Sequence, residues 1–384
     1  MSFYDVIEGY SWEEVRAEIY SRTEAEVERS LAADILREED LMNLLSPAAE
    51  PFLEEIAQRS HRLTEQRFGK TINMFAPLYV SNVCTNRCAY CGFNAGNAVE
   101  RLTLTLDQVE EEARAIHGLG FRNVLLVSGE APQLVPVEYF AEVAHRLRPL
   151  FSSISVEIYP MAVEDYRTLI DNGVDGLVVF QETYRRDLYG RVHCGGRKRD
   201  YRWRLETPER GGEAGFRRIG LGTLLGLADW RTETLFLALH ACHLLRRFWK
   251  SHVSISFPRL RPAAGGFQPD FPVSDRNMVQ MLTALRLFLP DAGLVLSTRE
   301  SPFFRDHLIS LGVTSMSAGS RTDPGGYTHA DAAEAQFQIS DERSPSEVAE
   351  VIRSKGYDPV WKDWDAAFLV GDEEGAACAG ACSR

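Results

Sequence analysis

From Phe75 the chain alternates short apolar runs with longer stretches in which apolar residues return every three or four positions. The short runs are MFAPLYVSN, NVLLVSGE, SISVEIYP, DGLVVFQE, RRIGLGTLLG, HVSISFPR, GLVLSTRE and VTSMSAGS. Their lengths predict strands, and the stretches between most of them predict helices. In TLDQVEEEARAIHGLG, Thr105 can cap a helix with Gln108 three residues on, Val109, Ala113 and Ile116 form one stripe, and glycines end it. Eight strands with intervening helices are the number that closes a barrel. The expected fold class is therefore α/β, a TIM-type (β/α)8 barrel over residues 73–365.

Residues 1–72 read differently. SWEEVRAEIYSRTEAEVERSLA is rich in Glu and Arg, and SPAAEPFLEEIAQRSHRLTEQRFG opens on Ser-Pro and stops at Gly69, which predicts an N-terminal helical extension. SPSEVAEVIRSKG supplies a final helix before YDPVWKDWD, and residues 366–384, with GDEEGAACAGACSR, are expected to form a flexible C-terminal tail. No internal repeat exists beyond the strand–helix alternation.

Composition narrows the function. The net charge of -13 opposes broad phosphate neutralisation, so bulk nucleic-acid binding is not expected. GGRKRDYRWRLE (residues 195–206) is a local exception, where Arg and Lys alternate with Tyr201 and Trp203 as in an RNA-stacking patch; in so acidic a chain a solvated loop or helix face is the expectation. No run approaches the roughly 18 uninterrupted apolar residues that a membrane span requires. The start, MSFYDVIEGYSWEEV, lacks a basic region followed by an apolar run, so a cytoplasmic protein without membrane partners is expected.

Three of the seven cysteines, Cys84, Cys88 and Cys91, crowd into NVCTNRCAYCGF directly after the first strand, on the rim where such barrels carry their chemistry. Thiolates suit zinc or iron–sulfur clusters. A closed zinc site wants four ligands, whereas a 4Fe-4S cluster on three thiolates leaves one iron free for a small molecule. On spacing alone, a structural site completed by a distant His or Cys stays open. In SISVEIYP, alternation sends Ser155, Glu157 and Tyr159 to one face and Val156 and Ile158 to the other, so Glu157 points into the barrel, toward an internal ion pair or a ligand. Gln181 is expected on the same rim at strand four. Arg299 shares a face with Ser297 at the end of strand seven, and a planar Arg fork suits a carboxylate better than Lys does. FPRLRP aims Arg259 or Arg261 at anionic groups or at barrel carboxylates such as Glu157. His193, Cys194, His240, Cys242, His243 and His252 are expected to serve packing.

The cysteine spacing, with the aromatic Tyr90 just before the last cysteine, resembles the radical S-adenosylmethionine (SAM) superfamily. The resemblance implies a 4Fe-4S cluster on Cys84, Cys88 and Cys91 whose free iron chelates SAM, and whose electron splits the sulfonium to a deoxyadenosyl radical. LLVSGE resembles the motif that holds the SAM amino group, which implies that role for Glu130; a carboxylate serving a helix N-terminus is the alternative. Tyr90, Glu157 and Gln181 are implied to complete the SAM site, Glu157 at the ribose or amino group.

LYVSNVCTNRCAYCGF, LLVSGE, VVFQETY, WRLETPER, IGLGTLLGL, SISFPRLRP, LSTRESPFFRD, PGGY and PVWKDWD together resemble the aromatic amino-acid lyase family over nearly the whole chain. That resemblance implies cleavage of the Cα–Cβ bond of L-tyrosine to dehydroglycine (2-iminoacetate) and p-cresol, for thiamine thiazole synthesis. It implies Arg299 as carboxylate ligand assisted by Ser297 and Ser317, thiazole synthase as acceptor, and a flavodoxin- or ferredoxin-type electron donor. Alternatives are a tryptophan lyase, a hydrogenase-maturation tyrosine lyase, or a non-catalytic iron–sulfur electron carrier. The maturation lyase carries a second cluster on three C-terminal thiolates; Cys378 and Cys382 have another spacing and no third partner, so the resemblance stops short of a second cluster.

Overall fold

Strand three shows how the alternation becomes a barrel. Ile154 and Val156 are buried in the apolar core, whereas Ser155 and Glu157 line the lumen. The computed structural model describes residues 1–329 and 333–365. Strands β1 (Thr71–Ser81), β2 (Asn123–Ser128), β3 (Ser153–Glu157), β4 (Gly176–Glu182), β5 (Arg218–Thr223), β6 (His252–Ser256), β7 (Gly293–Leu296) and β8 (Ser315–Ser317) pair in sequential order. All pairings are parallel, and β1 joins both β8 and β2, which closes an eight-stranded (β/α)8 barrel. A short ninth strand, β9 (Asp358–Val360), pairs with Thr71–Asn73 at the start of β1. It was not predicted: three residues that include Pro359 carry no readable alternation.

Barrels of this type are usually filled by branched aliphatic side chains. Here small residues, among them Ser155, Ser254, Ser315, Gly176 and Gly220, take inward positions, and a cavity of about 390 Å³ results. It reaches from Asn123, Arg218 and His252 at the strand starts to Glu157, Arg299 and Gln336 at the rim. Gly176 suits this crowding, because a Cβ at that position would force the Ser155 hydroxyl to move.

The N-terminal segment forms helices Phe3–Ile7, Trp12–Ser21, Glu24–Ala32, Glu38–Leu45 and Leu53–Phe68. Ser2 with Asp5 and Thr23 with Glu26 close capping boxes, which satisfy the free amides of the first turns. Phe3, Ile19, Leu41 and Ile56 are fully buried in the same core as the barrel's outer face, and Phe3 stacks on His240 at 4.1 Å. Among the described residues no helix is long and apolar enough to cross a membrane. The tail expected over residues 366–384, with Cys378 and Cys382, lies outside the described residues.

Candidate active site

After β1 the chain runs as a loop across the rim, and it is fastened from several sides. Thr85 N donates to the Glu130 carbonyl at 2.9 Å, Arg87 N to Gly195 at 2.9 Å and Ala89 N to Val192 at 2.8 Å. Arg101 ties the loop to itself through the carbonyls of Asn82, Phe93 and Asn94. Gly129 at the end of β2 lets the loop come this close, since a Cβ would strike the Val83 carbonyl. Cys84, Cys88 and Cys91 thereby line one cavity of about 120 Å³. Among the described residues no three His, Cys, Asp or Glu side chains converge on a position for a single ion. Three thiols facing one cavity can hold a 4Fe-4S cluster with one iron left for a small molecule. Burial pushes the Cys88 thiol up to about 12 and raises Cys91 as well, and the Lys198 ammonium is the largest opposing influence on both. Ligation to iron supplies the charge that makes thiolates stable in such a place.

Around this cavity stand the residues expected to meet SAM. Tyr90 lines it, and its hydroxyl lies 2.8 Å from His193 Nε2, so His193 serves the rim as well as packing. Glu130 sits in the loop after β2, well before the next helix at Val137, which removes the helix-N-terminus alternative. Its carboxylate accepts from Asn86 Nδ2 at 2.6 Å. Glu157 points inward, where burial pushes its carboxyl up to about 7 and the neighbouring Glu182 charge adds to the shift, with Arg299 opposing.

Gln181 is not where the expectation put it. It is buried away from both cavities, and the inward series on β4 is Val178, Phe180 and Glu182. The β4–β5 register shifts between Phe180 and Glu182, and Glu182 takes φ 70°, a costly conformation for a residue with a side chain. Lys198 meets its carboxylate at 2.6 Å and Arg204 at 3.8 Å. Burial alone would raise Glu182, but Lys198 and Arg204 outweigh it and leave the carboxyl below its usual range. The basic segment 195–206 is thus only partly a solvated face. Its aromatic rings are also engaged internally: Arg210 covers Trp203 at 3.6 Å, and Tyr189 packs edge-on against Tyr201 at 5.0 Å.

Toward the lumen, Ser297, Arg299 and Ser317 all line the larger cavity. Ser297 Oγ accepts from Arg299 N at 3.4 Å and Ser317 Oγ from Thr298 N at 3.3 Å, so both hydroxyls brace the end of β7. Arg299 stands where the two cavities join, with Val127, Glu157, Phe180, Gln336 and Phe337. Its side chain donates to the Arg259 carbonyl at 3.4 Å and lies 3.4 Å above the Phe337 ring; among the described residues it has no carboxylate within ion-pair distance. Arg259 and Arg261 do not reach Glu157. Both take Glu300, Arg259 Nε at 2.9 Å and Arg261 Nη2 at 2.9 Å, which leaves Glu157 without an arginine of its own. Sequence reasoning missed Lys198, Arg204, Glu182, Gln336 and Phe337. For Glu182 the signal was present, because strict alternation from Val178 and Phe180 points to it.

A model of the radical SAM superfamily matches residues 78–237, and a model of the biotin and thiamin synthesis associated domain matches residues 256–358. The chain is 45% identical to 2-iminoacetate synthase of Escherichia coli over 366 residues, which is 95% of this chain and 97% of that protein. Among solved structures, HydG, a maturase of the [FeFe]-hydrogenase, superposes with TM-score 0.86 at 33% identity, covering 96% of this chain and 84% of that one. HydG from Carboxydothermus hydrogenoformans gives 0.82 at 33% identity, with 95% and 84% covered. The chain belongs to the aromatic amino-acid lyase family of the radical SAM superfamily, the family of 2-iminoacetate synthase.

Proposed function

We propose that this protein cleaves the Cα–Cβ bond of L-tyrosine to 2-iminoacetate and p-cresol, with SAM reduced to 5'-deoxyadenosine and methionine, for thiamine thiazole synthesis. The observation that carries the reading is Arg299: a half-buried guanidinium without a carboxylate in ion-pair distance among the described residues, at the junction of the cysteine-lined cavity and a polar lumen. Cys84, Cys88 and Cys91 hold the 4Fe-4S cluster, and Tyr90, Glu130 and Glu157 are assigned to SAM. When bound, the cluster and SAM supply a radical carbon able to abstract hydrogen. The protein's share is placement. Arg299 takes the tyrosine carboxylate as a fork, Ser297 and Ser317 hold the strand end that carries it, and the closed barrel keeps water from the reacting atoms.

L-Tyrosine is the substrate in this reading, thiazole synthase the acceptor of 2-iminoacetate, and a flavodoxin- or ferredoxin-type protein the electron donor. The free cysteines and an oxygen-sensitive cluster suit a reducing cytoplasm. The likeness to HydG favours a second reading, a hydrogenase-maturation tyrosine lyase. Anaerobic reconstitution followed by incubation with SAM and either tyrosine or tryptophan separates them. p-Cresol and glyoxylate from tyrosine support the first reading; carbon monoxide trapped by a haem protein supports the second; consumption of tryptophan alone contradicts both.

A further inference from the structure

Residues 333–341, beyond β8, cross the rim as a strap, and the fold secures them on three sides. Gln336 N donates to the Thr322 carbonyl at 2.9 Å, Gln338 N to Pro262 at 2.9 Å, and Ser340 N to Thr298 at 2.9 Å. On the cysteine side, Gly92 N donates to the Gln336 carbonyl at 3.2 Å, and a Cβ on Gly92 would collide with that same oxygen. The cysteine loop and the strap are therefore built to touch. Two adjacent side chains then face opposite tasks. Gln336 accepts from the Tyr79 hydroxyl at 2.8 Å through Oε1, and its Nε2 points at Cys91 Sγ from 3.8 Å. Phe337 lays its ring against the Arg299 guanidinium at 3.4 Å.

We propose that Gln336 and Phe337 are a pair of positioning residues that hold the cluster ligand Cys91 and the substrate ligand Arg299 in fixed relation. Phe337 acts on the substrate half and rests on the reaction assigned above; Gln336 acts on the cluster half and does not. A guanidinium stacked on an aromatic face keeps its hydrogen-bonding edge free for a carboxylate while losing the freedom to swing away. An amide N–H directed at a cluster sulfur favours the reduced, more negative cluster, because hydrogen bonds to the sulfurs set its potential. Tyr79, buried in the wall of β1, donates its hydroxyl to Oε1, and this contact leaves Nε2 on the side of the sulfur.

The test uses the full chain, reconstituted anaerobically, as Phe337→Ala, Phe337→Tyr and Gln336→Leu, each checked for iron content and melting temperature against the unsubstituted protein. Loss of the ring contact in Phe337→Ala is expected to raise KM for tyrosine about tenfold, with a smaller change in kcat, as a desolvated cation–π contact allows. It should also raise the 5'-deoxyadenosine formed per p-cresol, and Phe337→Tyr should restore both. Gln336→Leu is expected to shift the cluster's midpoint potential to a more negative value with iron content unchanged. If Phe337→Ala fails to fold, Phe337→Leu keeps the bulk and removes the ring face. A KM within about twofold of the unsubstituted protein, or an unmoved potential, overturns the proposal. If the unsubstituted chain makes no p-cresol, the assigned reaction fails, and the potential of Gln336→Leu alone then upholds or overturns the strap.

Discussion

Two segments meet over the cysteine-lined cavity and contribute opposite things to it. The loop that carries Cys84, Cys88 and Cys91 brings the thiols, and burial holds Cys88 and Cys91 against ionisation. The segment around Lys198 and Arg204, joined to it through Asn86 Oδ1 and Lys198 N at 3.0 Å, brings cations that favour negative charge at the site. Ligands and compensating charge thus come from parts of the chain far apart in sequence. An iron–sulfur site needs both, since thiolates in a low-dielectric place are stable only beside positive charge or metal.

The comparison is broken most severely on the loop. Cys91→Ser should abolish p-cresol formation and lower bound iron, read by product analysis and iron content, while melting temperature of the iron-free chain stays nearly unchanged. On the other segment, Lys198→Met leaves Glu182 buried with only Arg204 at 3.8 Å. Removing one partner of a buried pair costs about 3–5 kcal/mol, so unfolding of the iron-free protein in urea should show that loss. Glu182→Gln in the same chain should recover much of it.

Arg299→Lys, which keeps the charge and loses the fork, should raise KM for tyrosine roughly ten- to a hundredfold, the range of one or two charge-assisted hydrogen bonds. Cluster content should not change, so the effect separates the substrate side from the cluster side. The smallest expected effect sharpens the charge argument. Glu157 holds its proton up to about 7 when folded, against about 4.5 ordinarily, so the folded state loses stability as pH rises through that window. Glu157→Gln cannot ionise. Its melting temperature should match the unsubstituted protein near pH 4.5 and exceed it increasingly up to about pH 7.

What could be read in the sequence follows from how local each signal is. The eight strands were legible because alternation and bounding turn residues lie within each run, and the cysteines because ligand spacing lies within eight positions. Lys198 and Arg204 were not, because in isolation a run of Arg and Lys reads as a solvated face, and only Glu182 at the end of β4 makes it otherwise. Gln181 was misplaced by one position on a strand where one position reverses the facing. Gln336 and Phe337 carry no motif, and their role exists only where the strap crosses the rim.

The central proposal is that Arg299 seats tyrosine with an exchangeable hydrogen of the amino or hydroxyl group, not a C–H, against the radical carbon. It is tested most directly by running the reaction in deuterium oxide, where N–H exchanges with solvent and C–H does not. The account predicts that 5'-deoxyadenosine recovered with p-cresol carries one deuterium. Deuterium-free 5'-deoxyadenosine, formed together with p-cresol, would contradict it.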